Sequence, residues 1–62
     1  NALCKITDAN GLLIWQDYAN GGTFSWDGKD FYGNRPATGV YFVMASDKTG
    51  KKRATAKILI IN

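Results

Sequence analysis

The side chains able to do chemistry in this chain are few, and their types narrow what that chemistry is. There is no histidine, one cysteine, and five carboxylates (all aspartate) against eight lysines and arginines. Without histidine, Ser–His and Cys–His nucleophile pairs are unavailable, and the usual zinc ligand sets cannot be assembled within one chain. Cys4 has no intrachain disulfide partner and reads as a small buried hydrophobe. These limits argue against an autonomous enzyme, and nothing in the sequence implies a cofactor. The aspartates are Asp8, Asp17, Asp27, Asp30 and Asp47. Asp27, Asp30 and Asn34 in one stretch invite a calcium reading, because calcium gathers six to eight such oxygens. Lys29 stands inside that stretch, however, and the ligand density is low. Asp8, Asp27 and Asp47 lie in turns that carry glycine or asparagine, where a carboxylate bonding the backbone ahead of it is the simpler explanation.

The basic residues concentrate late in the chain, at Lys48, Lys51, Lys52, Arg53 and Lys57. Such a cluster attracts nucleic acid, anionic lipid or acidic polysaccharide; its bland counterpart is a solvated hairpin tip whose charges protect a strand edge. Nucleic-acid readers interleave aromatics with positive charge, whereas Tyr41 and Phe42 lie here in an apolar segment, so nucleic acid is discounted. An anionic glycan or lipopolysaccharide stays open. Trp15, Phe24, Trp26, Tyr41 and Phe42 could build a sugar-stacking platform, but most aromatics of so small a domain are needed for its core, Trp26 among them. Tyr18 and Tyr32 are the better candidates for exposed contacts, and with Trp15 they make up the carbohydrate-binding alternative.

Sixty-two residues allow one small domain, which buries only about 60% of the surface its unfolded chain exposes. The longest aliphatic run, Ile58-Leu59-Ile60-Ile61, is far short of the roughly 20 residues a membrane-spanning helix needs. Period-two alternation and glycine-bearing turns predict an all-β fold. The expected strands are Cys4–Thr7, Leu12–Tyr18 (Leu13 and Trp15 inward), Thr23–Trp26, Gly39–Ala45 and Lys52–Ile61. Asp8–Gly11 and Asp47–Gly50 share one spacing and predict two hairpins of the same type. Ala19-Asn20-Gly21-Gly22 breaks the second strand, and Asp27–Asp30 is a further turn. The stretch 31–38, which has no clear period, is expected to connect two sheets over the surface. The continuous apolar run Gly39–Ala45 is expected to be a central strand covered on both sides. Immunoglobulin-like sandwiches have seven strands in about 100 residues. Five strands in 62 residues therefore suggest a sandwich lacking its first strand or strands, with open edges that a second copy could complete. Asn1-Ala2 reads either as a cloning scar or as native sequence, with residues 3–62 the domain and a longer parent protein around it.

The motifs Trp26-Asp27-Gly28-Lys29-Asp30, Gly33-Asn34-Arg35-Pro36-Ala37-Thr38-Gly39-Val40-Tyr41-Phe42-Val43 and Lys57-Ile58 resemble a known group. They are similar to the C-terminal immunoglobulin-like domains of Bacteroidetes PorZ-like propeller proteins and to the sorting domains of type IX secretion. Ile6–Gly11 and Asn20–Thr23 fit as well, so the resemblance runs from about Ile6 to Ile61. It implies structural roles for Trp26, Asp27, Gly28, Gly33, Pro36, Gly39, Tyr41 and Phe42. It also implies a non-catalytic C-terminal domain of a secreted or surface protein, located outside the cell or on the periplasmic face of the outer membrane. The domain would serve secretion sorting or surface attachment, with upstream propellers, the secretion machinery or anionic lipopolysaccharide as partners. A structural cap on a propeller protein of the two-component-sensor kind is the alternative. Family domains carry one or two strands before the segment matching Leu3, and these are missing here.

Overall fold

The computed structural model describes residues 2–19 and 25–62. Three Asp-x-x-Gly segments reverse the chain in the same way. Asp8, Asp30 and Asp47 each accept backbone N–H groups two and four residues ahead on one carboxylate oxygen, at 2.9–3.1 Å. Gly11, Gly33 and Gly50 each donate to the carbonyl of that aspartate at 3.1 Å. These glycines have φ of 87°, 80° and 73°, a region costly for residues with a Cβ. The turn at Asp30–Gly33 lies partly inside the stretch that carried no expected period, and its spacing matches the two hairpin turns.

Between the turns run β1 (Leu3–Asp8), β2 (Leu13–Tyr18), β3 (Gly39–Ser46) and β4 (Arg53–Ile60). They form one antiparallel sheet in the order β2-β1-β3-β4, and no helix occurs among the described residues. β2 and β3 are both antiparallel to β1 and flank it, so they run parallel to each other. Such a pair needs a crossover connection. The described part of that connection, 25–38, passes over one face of the sheet: the Phe31 ring lies 5.3 Å from that of Trp15, tilted by 39°. The Phe31 N–H also donates to the Ile14 carbonyl, at 3.2 Å. At the far end the Tyr41 hydroxyl donates to the Ala37 carbonyl at 2.6 Å. The Asn62 N–H donates to Thr38 Oγ1 at 2.9 Å, and the Asn62 side-chain amide donates to the Pro36 carbonyl.

The core follows from that path. Cys4 and Ile6 of β1, on the crossover face, are buried along with Tyr41, Ala19 and Thr7, and Ile6 is only 1% exposed. Opposite residues of paired strands share a face, so Cys4, Ile6, Trp15, Tyr41, Val43, Ala45, Ala54, Ala56 and Ile58 line the crossover face. The β1–β2 register slips between Ile6 and Thr7: Ile6 opposes Trp15 while Thr7 opposes Leu13, leaving Ile14 as the extra residue of a bulge.

Five expectations change. Asn20–Gly22 and the Thr23-Phe24 half of the third strand lie outside the described residues, and Ser25-Trp26 is not a strand. Residues 31–38 connect strands of one sheet and not two sheets. β3 is interior to the sheet but not covered on both sides: Tyr41 alone is buried in it, and Val40 is 40% exposed. The described part of the connection lies over one face only, and the β3 residues after Tyr41 are half-buried. Trp26 is half-buried and not core, because its indole N–H turns outward to the Lys29 carbonyl at 2.9 Å. Leu13 and Trp15 do not point the same way; the Ile14 bulge separates them.

Candidate functional site

The face opposite the crossover carries Leu3, Lys5 and Thr7 of β1, Gln16 and Tyr18 of β2, Phe42, Met44 and Ser46 of β3, and Arg53, Thr55 and Lys57 of β4. Its positive groups are Lys5, Arg53 and Lys57. The aspartates of the strands, Asp8 and Asp17, alternate onto the other side. Lys5 aligns through Met44 with Thr55, and Arg53 and Lys57 flank Thr55 by two residues each. Strand spacing and rise then place the three cationic Cα atoms about 12–14 Å apart. That spacing suits several charges along an extended polyanion better than a single small anion.

Two shallow clefts open at the hairpin end of this face. One, of about 440 Å³, is lined by residues including Leu3, Lys5, Met44, Gly50, Arg53 and Thr55. The other, of about 410 Å³, brings Tyr18 beside Ser46, Asp47, Lys48, Thr49 and Gly50. Tyr18 opposes Leu3 in the register and is 66% exposed, so it offers an amphipathic ring next to positive charge. The Arg53 Nε–H donates to the Gly50 carbonyl at 2.9 Å, which holds the guanidinium near the turn with its other N–H groups unpaired among the described residues. Asp47, at the tip, bonds the turn through one carboxylate oxygen. The Thr49 hydroxyl donates to its carboxylate at 2.9 Å, and this bond, with the turn N–H groups, holds its pKa below the ordinary 3.8.

Of the residues singled out from sequence, Tyr18, Lys48, Arg53 and Lys57 come together on or beside this face. Lys51 and Lys52 do not: Lys51 is exposed on the turn, its N–H bonded to Asp47. Lys52 lines a cleft of about 250 Å³ at the strand end with Ala2, Ala45, Asp47 and Ala54, which alternate to the crossover side, and with Ser46 and Arg53. Tyr32 is 88% exposed on the Asp30–Gly33 turn, far along the chain from the basic strands. Lys5 is the member that sequence reasoning missed. Its alternation against Cys4 and Ile6 marks it as facing away from the core, but its nearness to Arg53 needs the strand order.

A further concavity, of about 440 Å³, lies on the crossover side between Trp15, Asp17, Ser25, Trp26 and Asp27. Trp15 is held against Phe31 and Trp26 is pinned through Lys29, so both indoles are oriented before any ligand arrives. Asp17 and Asp27 each accept one nearby N–H, from Tyr18 at 2.8 Å and Lys29 at 3.0 Å. The trio Trp15, Tyr18 and Tyr32 is not assembled: Trp15 and Tyr18 stand on opposite faces. Asp27 and Asp30 spend carboxylate oxygens on turn N–H groups, and no cluster of three or more metal-ligating side chains occurs among the described residues. No helix among the described residues is long and apolar enough to cross a membrane. The chain matches no family model, no curated protein and no solved structure.

Proposed function

We propose that this chain is a non-catalytic docking domain of an exported or surface protein, and that it holds an anionic glycan of the lipopolysaccharide kind on its basic sheet face. One observation carries the reading: the strand register gathers Tyr18, Lys5, Arg53 and Lys57 on a face without a strand carboxylate. The resemblance to C-terminal domains of PorZ-like propeller proteins and of type IX secretion cargo points to the same class of ligand and to a place outside the cell. The Tyr41 hydroxyl bonded to a carbonyl four residues upstream is the kind of corner found in immunoglobulin-like sandwiches. It supports reading the sheet as one layer of such a fold, with secretion machinery and upstream propellers as protein partners.

Each Lys or Arg near an anionic surface contributes about 1 kcal/mol, so Arg53→Gln with Lys57→Gln should weaken binding to anionic lipopolysaccharide about thirtyfold, read by calorimetry at low salt. Lys52→Gln, on the other side of the hairpin, should change it little. Equal losses from both sets would refute the face assignment. The Trp15–Trp26 cleft favours a second reading, a neutral glycan stacked on indole with hydroxyls donating to Asp17 and Asp27. Quenching of tryptophan emission by neutral oligosaccharide, lost in Trp26→Ala, would support it. Binding to neither ligand would leave the structural cap on a propeller.

A further inference from the structure

We infer that β4 pairs antiparallel with β4 of a second copy of this chain, with Ala56 on the two-fold axis. β4 ends the sheet, and its outer edge has no backbone partner among the described residues. Which groups it presents can be worked out. The Asp47 N–H donates to the Lys52 carbonyl, so Asp47 and Lys52 form a hydrogen-bonded pair, and such pairs alternate along an antiparallel ladder. The unbroken β3–β4 register then turns the N–H and C=O of Ala54, Ala56, Ile58 and Ile60 toward β3. Those of Arg53, Thr55, Lys57 and Leu59 point outward, eight polar groups along one edge. The opposite edge, β2, is different: its Ile14 carbonyl already accepts from Phe31.

A two-fold axis normal to the sheet allows only registers that oppose residues of the same face, and charge and size choose among them. Centring on Thr55 sets Arg53 against Lys57 of the second copy. Centring on Lys57 sets that lysine against itself. Like charges directly opposite are destabilising. Centring on Ile58 avoids this but leaves only five residues of β4 in register, 56–60. Centring on Ala56 pairs residues 53–59, seven in all: Thr55 meets Lys57, Ala54 meets Ile58, and Arg53 meets Leu59. Leu59 is 64% exposed in the single chain, and the arginine stem of the second copy would cover it while its charge stays in water. Small opposes large on one face and no cation opposes a cation. The edge is therefore complementary to itself, which a symmetric dimer requires, and a second copy is the occupant it fits.

The register is tested by cysteine scanning on exposed alanines of the same face. In the proposed pairing Ala56 faces its symmetry mate in a non-hydrogen-bonded pair, with Cα atoms about 4.5 Å apart, inside the range a disulfide spans. Ala54 lies four residues from its mate, about 13 Å along the strand. Ala56→Cys should give an interchain disulfide under mild oxidation, mapped to position 56 by mass spectrometry, and Ala54→Cys should not. Linking at both positions alike, or none at 56, overturns the proposal. A small strand-edge interface is of the weak class, so the unmodified chain should dimerise between micromolar and millimolar concentration by sedimentation. Thr55→Lys sets two lysine pairs across the axis and should raise the dissociation constant about tenfold or more. An unchanged constant, or a monomer throughout, also overturns it.

Discussion

Removing one oxygen from Tyr41 measures how firmly the crossover is held to the sheet. Tyr41→Phe keeps the ring, which is 6% exposed, and deletes only the hydroxyl that donates to the Ala37 carbonyl at 2.6 Å. A net intramolecular hydrogen bond contributes about 1 kcal/mol, and a buried partner left orphaned raises the loss to about 1–3 kcal/mol. Ala37 is exposed, so water can take over its carbonyl, and the cost should stay near about 1 kcal/mol. Unfolding entropy of about 2.1 cal/mol/K per residue makes that a fall in Tm of about 8 °C for a chain of this length. Thermal melts followed by circular dichroism of the two proteins give the number. A fall under about 2 °C would mean that the hydroxyl is already solvated and the corner does not anchor the crossover. A fall beyond about 15 °C would mean that the loop and the core unfold together on losing it, and the local accounting would be wrong.

The turns give two more expectations. An added Cβ at Gly50 meets nothing within 4 Å, so Gly50→Ala should cost only the backbone term of a φ of 73°, about 1 kcal/mol in chemical denaturation. Gly50→Asn should cost less, because asparagine tolerates that region; a larger loss than alanine would contradict the backbone explanation. At Asp47 the folded pKa lies below the ordinary 3.8, so the carboxylate stabilises the fold above that pH and the contribution is lost as pH falls through the folded value. Thr49→Val removes the largest cause, so the Asp47 titration seen by NMR should move up toward 3.8, and acid unfolding should begin at higher pH. An unmoved titration would assign the shift to the turn N–H groups instead.

Four strands and both hairpin turns were legible because each Asp-x-x-Gly unit carries its own geometry and the flanking residues alternate. The third such unit, Asp30–Gly33, has the same letters but is bracketed by irregular chain, so spacing alone did not separate it from the adjoining Asp27–Asp30. The bulge was hidden for a different reason. Leu12-Leu13-Ile14-Trp15 is apolar throughout, and an unbroken apolar run has no parity from which a slip could be read. The site was half legible: the late basic run is visible as composition, but its division between faces follows from register, which parts Arg53 from Lys52. Lys5 joins Arg53 only through the pairing of β1 with β3 and β3 with β4. The burial of Trp26 depends on how the crossover is laid down, which no local pattern near Trp26 encodes.

The extra residue at Ile14 has a consequence for how this chain tolerates change. Upstream of it Leu13 is paired with Thr7; downstream Trp15 is paired with Ile6, Asp17 with Cys4 and Tyr18 with Leu3. If Ile14 were deleted, Leu13 would still oppose Thr7 and Trp15 would still oppose Ile6, so the ladder would run unbroken and no side chain would change sides. If Gln16 were deleted with Trp15 kept opposite Ile6, Asp17 and Tyr18 would both exchange sides, placing a carboxylate among the cations and moving the tyrosine away from them. A one-residue insertion or deletion between Trp15 and Tyr18 is thus an inversion of surface chemistry, with almost no change in mass or composition, whereas the bulge can absorb one residue. Among variants of this chain, loop lengths can drift at little cost, and the count of residues between Trp15 and Tyr18 acts as a parity bit for which side of the sheet carries the tyrosine.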